Sequence, residues 1–431
     1  RPHIKICRVN KIQSPAPQKR KIMTSFRLLL SLGLALTTSV GISTLQAKPL
    51  KVFILVGQSN MQGHAQIKTM EVMALDPATA PLLNDLQNKD GSPVVCEDVW
   101  ISSIGSSKDE KMGRLTVGFG AESQIPKIGP EFSFGIYMHK TLQEPILIIK
   151  TAWGGKSLNT DFRTPSAGPY TFNENQLENF AKQDKEVAEQ QKQKDDATGV
   201  YYRLMLEHVQ HVLSDIGRVY PEYDQTEGHE LAGLVWFQGW NDMVDRGTYP
   251  KRDQEGGYQK YSDVMAHFIR DVRKDLSAPE LPIVIGVLGV GGPTEKYTEN
   301  EQRYRGIHNN FRTAMAAPAS MPEFKENVTA VWTDQYWDME LKRLRTDDSK
   351  IQAELKKKAE MEGKNRAELQ AMILENRSER LTKPQLELLT NGASNAEYHY
   401  LGSVKIMSQI GKGFAEAMLE LMPSEKNAAN R

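Results

Sequence analysis

Residues 51–64, Lys-Val-Phe-Ile-Leu-Val-Gly-Gln-Ser-Asn-Met-Gln-Gly-His, decide how the rest of the chain is read. The run from Val52 to Gly57 is apolar without polar alternation, the pattern of a strand buried on both faces. It ends on a glycine. Gln58, Ser59 and Asn60 then set three polar groups at the strand's carboxyl edge, where open α/β sheets bind their ligands. A serine there can be a nucleophile if the chain supplies a base and oxyanion donors from elsewhere. The simpler reading is a Ser/Asn cap on the following helix. The choice between them rests on residues far downstream.

Working outward, apolar β-rich runs recur at Val94–Ser102, Ile146–Thr151, Leu231–Phe237, Pro282–Val290 and Val328–Thr333. Helical spacing appears between them, over Glu131–Leu142, Tyr201–Ile216, Tyr258–Leu276 and Gln302–Ala317. Strands alternating with helices predict a doubly wound parallel sheet covered on both faces. One domain over residues 48–424 is expected, with a tail over 425–431 and two inserts. The first insert, 174–197, is polar. The second, 341–390, mixes both charges with good helix formers and is punctuated by Gly363 and Pro384, so it reads as a helical hairpin.

Upstream, Met23 reads as a start. A short basic region follows, then the apolar stretch Leu28–Val40 and the small residue Ala47, the outline of a secretory leader. Export is therefore expected, with the mature protein beginning near Lys48. The apolar stretch is too short for a membrane span, so no stable membrane insertion is expected after cleavage. Residues 1–47 hold eight basic groups and no acidic one, which leaves 46 basic against 54 acidic groups, a net of −8. That charge argues against nucleic acid or an anionic membrane as partner. Cys7 lies in the leader segment and Cys96 stands alone downstream, so a large apolar core, and no intrachain disulfide, must hold the mature fold.

Three further strand ends carry chemistry-bearing residues. Gln238-Gly239-Trp240-Asn241-Asp242 puts a glycine and an amide after a strand, and Asn241 can donate to a developing oxyanion. The same residues also suit an ordinary capped β-to-α turn. Thr151-Ala152-Trp153-Gly154-Gly155-Lys156-Ser157 offers backbone N–H groups on paired glycines. Its Gly-Lys-Ser echoes a phosphate loop, but Lys150 stands where that loop needs glycine, and nucleotide binding is rejected. Gly286–Gly292 reads as a turn lining the cleft. Glu397-Tyr398-His399-Tyr400-Leu401-Gly402-Ser403 precedes a final amphipathic helix and places His399 as a base, if the sheet brings both chain ends to one edge. His208 and His211 lack a companion ligand set, and no metal is expected.

Gly-Gln-Ser-Asn-Met, Trp-Gly-Gly-Lys-Ser, Gln-Gly-Trp-Asn-Asp and Tyr-His-Tyr-Leu-Gly, four blocks in that order along the chain, resemble the SGNH hydrolase superfamily. More narrowly, they are similar to the carbohydrate acetylesterases typified by sialate O-acetylesterase and acetylxylan esterase, with matches spread over residues 51–417. The resemblance implies a three-layer α/β/α, flavodoxin-like fold and hydrolysis of an O-acetyl ester on a sugar. It makes Ser59 the nucleophile and His399 the general base. It assigns the oxyanion hole to the Ser59 N–H, the Gly155 N–H and the Asn241 side chain. The elbow Gly-x-Ser-x-Gly of conventional α/β-hydrolases fails because Met61 occupies the last glycine's place. Substrate contacts are expected from Gln58, Trp153, Gln238, Trp240 and Tyr400, the aromatic ones by stacking on a sugar ring. Neither metal nor organic cofactor is called for.

One departure matters. The acid that orients the histidine in this superfamily usually lies three residues before it, and here that residue is Ala396. Glu397 stands two before and Asn395 four before, while Asp334 and Asp338 follow the last strand. Glu397 is the expected acid and Asp338 its rival. Otherwise a Ser–His dyad operates, with a backbone carbonyl holding the ring. The expectation is an exported esterase acting on acetylated oligo- or polysaccharide. Its alternatives are a carbohydrate-binding protein that has lost turnover, motivated by Ala396, and an esterase for lipid or aryl esters.

Overall fold

The central sheet is built from β1 (Leu50–Gly57), β2 (Val99–Gly105), β3 (Lys111–Arg114), β4 (Ile146–Ala152), β5 (His229–Phe237), β6 (Ile283–Val287) and β7 (Val328–Trp332). Their order across the sheet is β3-β2-β4-β1-β5-β6-β7. The computed structural model describes residues 48–422 except Lys108. The leader pattern, with the rest of residues 1–47, and the 425–431 tail lie outside the described residues.

All neighbours pair in parallel except β3, which runs antiparallel to β2 at the edge. The chain leaves β1 in one direction to reach β2, returns to β4, and continues past β1 to β5. β1 therefore lies at the switch point, where the loops on either side diverge and leave a crevice. Val52 to Val56 are all fully buried, as the unbroken apolar run requires. At roughly 2 kcal/mol per large aliphatic or aromatic side chain, this one strand contributes about 10 kcal/mol of gross burial. A slipped register would expose polar neighbours to the core and forfeit much of it.

Helices cover both faces. On one face Phe134 of helix Glu131–Leu142 meets Phe53, and Phe414 of helix Val404–Leu421 meets Phe237. On the other, Phe268 of helix Gln259–Asp275 packs on Trp236, and Tyr202 of helix Val200–Ser214 packs on Phe268. The result is a three-layer α/β/α fold. Among the described residues, no helix is long and apolar enough to cross a membrane.

Residues 174–197 form the helices Glu174–Lys182 and Val187–Ala197, neither with a buried residue. The second insert differs from a hairpin. It holds three helices, Met339–Met361, Arg366–Arg380 and Lys383–Asn391. Thr382 and Gln385 form a capping box, with Pro384 in the first turn, so the proline opens the third helix. Asp348 pins the first two helices together by accepting from Arg377 at 2.6 and 2.9 Å and from Arg380 at 3.2 Å.

Candidate active site

Strand register builds the site. Gly57 of β1 lies opposite Ala152 of β4 and Phe237 of β5, and Gly105 of β2 also lies opposite Ala152. Four strands thus end at one level, and the residues after them converge: Ser59, Ser106, Gly154-Gly155 and Asn241. Gly57 permits the closest of these approaches, because a Cβ there would sit 2.1 Å from the Phe237 carbonyl oxygen. Immediately after it, Ser59 opens the short helix Ser59–Gln62. At the far end of that helix, fully buried Lys150 donates to the Gln62 and Phe119 carbonyls at 2.9 and 3.0 Å and to Glu131 at 2.6 Å. The residue that ruled out a phosphate loop is a strut between β4 and the serine helix.

Gln58 fixes the amide of Asn241. The Gly239 N–H, which can only donate, reaches Gln58 Oε1 at 3.1 Å and so identifies that atom as the oxygen. The Gln58 Nε2 then donates to Asn241 Oδ1 at 3.1 Å and lies 3.5 Å from Ser59 Oγ. With its oxygen engaged, Asn241 presents its NH₂ as a donor to the cavity. Asp242, whose role the sequence left blank, ties down the loop after β4. It accepts from the Leu158 and Asn159 N–H groups at 2.7 and 3.1 Å, from Gln238 at 2.6 Å and from Tyr249 at 3.1 Å. Complete burial pushes its carboxyl up to about 6 despite those four bonds. In the same loop, the Gly154 N–H donates to Ser106 Oγ at 3.1 Å. The N–H of Gly155, at φ +74°, has no acceptor among the described residues.

His399 reaches this edge on a strained turn. Tyr400, Leu401 and Gly402 have φ of 51°, 60° and 57°, left-handed values that cost the first two of them energy. The turn is pinned by the buried Tyr400 hydroxyl, 2.7 Å from Thr333 Oγ1 and accepting from the Gly289 N–H at 2.8 Å. On the imidazole, Nδ1 lies 3.0 Å from Asn395 Oδ1, which also accepts from the Ala396 N–H at 2.7 Å. That backbone donor identifies the Asn395 atom as oxygen. His399 must then carry its proton on Nδ1, which leaves Nε2 unprotonated, the tautomer a base needs. His64 lies flat on the ring, with centroids 3.9 Å apart and planes 3° apart. Burial lowers His399 to about 4, helped by Lys127. Burial and the adjoining His399 lower His64 to about 3, so the stack is uncharged at neutral pH.

Ser59, His64, Gly155, Trp240, Asn241 and His399 all line one cavity of about 590 Å³. Ser59 and His399 share it without being hydrogen-bonded to each other. Such bonds are often long in free enzymes and tighten with substrate. The chemistry available is attack by a hydroxyl beside a neutral imidazole, with up to three N–H donors for an oxyanion.

Several expected contacts fall elsewhere. Neither carboxylate meets the His399 ring. Asp338 caps helix Met339–Met361 and binds Lys405 at 2.9 Å, while Glu397 is turned into a neighbouring cavity. Trp153 is buried with its ring against Tyr201, 5.2 Å between centroids. Gln238 is buried and spends its amide on Gln58, Lys156 and Asp242. Tyr400 pins the histidine turn from the core. Of the expected substrate contacts, Gln58 and Trp240 line the cavity. Sequence reasoning gave His64 no role and noted Asn395 only by its place four residues before His399. Both stand near motif residues, but only the folded chain brings them to the same ring.

Residues 49–328 match the sequence profile of the SASA family, described as carbohydrate esterase, sialic acid-specific acetylesterase. Among solved structures, a protein of Arabidopsis thaliana is 16% identical, with 66% of this chain and 86% of that one covered and a TM-score of 0.37. A carbohydrate acetylesterase of Xanthomonas citri is 12% identical, with coverage of 65% and 49% and a TM-score of 0.35, so this chain spans about half of that protein's length. No curated protein matches the chain. The family match takes in β1 through β6 and the residues Ser59, Gly155 and Asn241, and it stops short of His399. Covering well over half of the sequence, it identifies the chain as a member of the carbohydrate esterase family of sialic acid-specific acetylesterases.

Proposed function

We propose that the protein is an exported serine esterase that removes O-acetyl groups from carbohydrate through an acetyl-enzyme. Ser59 Oγ attacks the acetyl carbonyl carbon while His399 Nε2 takes the hydroxyl proton. The tetrahedral oxyanion accepts hydrogen bonds from the Ser59 and Gly155 N–H groups and from the Asn241 NH₂. As the carbon–oxygen bond to the sugar breaks, His399 returns the proton to the departing sugar oxygen. Water, activated by the same imidazole, then attacks acetyl-Ser59, and acetate leaves. Asn395 holds the tautomer without supplying a negative charge, so the reaction needs no acid at position 396.

The observation that carries this reading is the meeting of Ser59, Gly155, Asn241 and His399 in one cavity at the sheet's switch point. Export is supported by the leader pattern of residues 23–47 alone, and fractionation of producing cells would overturn it by finding the protein only in the cytoplasm. The mechanism is tested by rapid quench during acetate release. An acetyl adduct should appear on the peptide carrying Ser59, and Ser59→Ala should lose at least about a thousandfold in kcat. Retention of a tenth of the activity would sink the mechanism. Hydrolysis of neither p-nitrophenyl acetate nor p-nitrophenyl palmitate would favour a binding protein, and a palmitate preference would favour a lipase.

A further inference from the structure

A second cavity, of about 450 Å³, lies beside the first along the same sheet edge, over the carboxyl ends of β5 and β6. We propose that it is a subsite for an uncharged sugar unit attached to the acetylated one, which makes the substrate an oligosaccharide or polysaccharide rather than a single sugar. The proposal rests on the esterase reading above.

Trp240 and Tyr398 line both cavities, with ring centroids 5.7 Å apart, and form an aromatic sill between them. Tyr398 also packs its ring against His399 at 4.5 Å, so the sill stands next to the base. Beyond it the wall is formed by Val290, Tyr297, Tyr304 and His308. Tyr304 and Tyr398 are 41% and 44% exposed, so part of each ring face opens on the polar cleft even with Arg303 4.7 Å over the Tyr304 ring and His308 stacked on it at 6.0 Å. Such faces suit the apolar C–H side of a pyranose, and the volume falls within the range of small-ligand sites.

The polar groups point to hydroxyls rather than to a charged ligand. Tyr297 OH lies 2.6 Å from His308 Nδ1 and is approached by Arg312 Nη2, a donor, at 3.5 Å. The tyrosine's proton has two acceptors in reach, Nδ1 at 2.6 Å and the Val290 carbonyl at 3.4 Å, and the much shorter contact makes Nδ1 the acceptor. Because burial lowers His308 to about 4, its single proton sits on Nε2, which is a donor for a sugar oxygen. Charges around the cavity offset one another. Glu301 is paired with Lys342 at 2.8 Å, and Arg252 donates to the Met243 and Val244 carbonyls. The lining itself carries two charges of each sign, Arg246 and Arg252 against Glu301 and Glu397.

The test compares kcat/KM for p-nitrophenyl acetate with that for O-acetylated mono- and trisaccharides of xylose, glucose and galactose, and of galacturonate as the charged arm. The wild type should favour at least one neutral trisaccharide over its monosaccharide by about tenfold, mainly through KM. Tyr304→Ala should cut that ratio about fivefold to tenfold, the scale of one lost ring contact. Val244→Trp, which adds bulk at an exposed wall position, should do the same by obstruction. Hydrolysis of p-nitrophenyl acetate with no trisaccharide preference would overturn the subsite and leave the esterase standing. A preference confined to the galacturonate series, or one indifferent to both substitutions, would overturn it too. Should no ester be cleaved, the esterase reading fails. Titration of Ser59→Ala with unacetylated xylo-, gluco- and galactotrioses, with and without Tyr304→Ala, then decides the cavity: binding weakened by the tyrosine change supports a sugar site, and no binding ends the proposal.

Discussion

Replacing Asn395 by aspartate puts a carboxylate where a neutral amide now meets the His399 ring. The amide oxygen lies 3.0 Å from His399 Nδ1. A unit charge about 4 Å from the ring's positive centre, at an effective dielectric of about 20, is worth roughly 4 kcal/mol to the imidazolium. The cavity is open to water and the Ala396 N–H shares the oxygen, so a rise of one to three pH units is the realistic range. His399 now lies at about 4, lowered by burial. In Asn395→Asp the acid limb of kcat/KM should therefore move up to somewhere between about 5 and 7. The transition state carries the same imidazolium, so the plateau should rise about tenfold to hundredfold, equivalent to some 1.4–2.7 kcal/mol. Asn395→Ala should instead lower the plateau about tenfold or more, since the tautomer is released while the limb stays acidic. Acetate release followed from acid to neutral pH reads all three enzymes. An Asn395→Asp enzyme whose limb stays near 4, with a plateau within twofold of wild type, would show that this amide does not orient the base.

Asn241→Ala should lower kcat by roughly 10²–10³ with little change in KM, because its NH₂ acts on charge that develops in the transition state. An effect confined to KM would make it a substrate-binding residue. Asp242→Asn turns one acceptor facing the Leu158 and Asn159 N–H groups into a donor, and thermal unfolding should register a loss of about 2–4 kcal/mol with impaired kcat. An unchanged melting temperature would contradict the buried network. Acid should destabilise the fold through its buried neutral imidazoles. His64 lies at about 3 and His208, His308 and His399 at about 4, each lowered chiefly by burial. The unfolded chain binds these protons near 6.5, so their stabilisation is complete above that pH and is lost as pH falls toward 4. Asp242, raised to about 6, opposes this by favouring the fold at low pH, but as one group against four. Denaturant midpoints that rise between pH 6.5 and 4.5 would refute the balance.

Much of the fold was legible because parallel strands buried on both faces leave unbroken apolar runs. β1, β4, β5 and β6 all stand out for that reason. β3 gave no such signal: Lys-Met-Gly-Arg is a short, largely exposed edge strand with nothing apolar to repeat. The third helix of the second insert was findable, since Thr382-Lys-Pro-Gln carries its own capping box, but the surrounding charge masked it. The serine, the glycine pair and the asparagine were legible as polar or glycine residues placed just after apolar runs.

Which aromatic and amide groups meet the ligand was not. Trp153, Gln238 and Tyr400 have the same chemistry as the cavity residues Trp240 and Gln58 and similar positions in their motifs. Only packing turns the first three inward. The partner of the His399 ring was equally hidden, because the left-handed turn at Tyr400–Gly402 is held in part by Thr333 and Gly289, which reach the tyrosine hydroxyl from other strand ends. Local periodicity was enough for the sheet and its carboxyl edge, and the resemblance of the motifs added Ser59 as the expected nucleophile. That Asn395 and His64 both meet the His399 ring comes from the fold, because hydrogen bonds and ring stacking across a cleft depend on ångström distances that no spacing along the chain encodes.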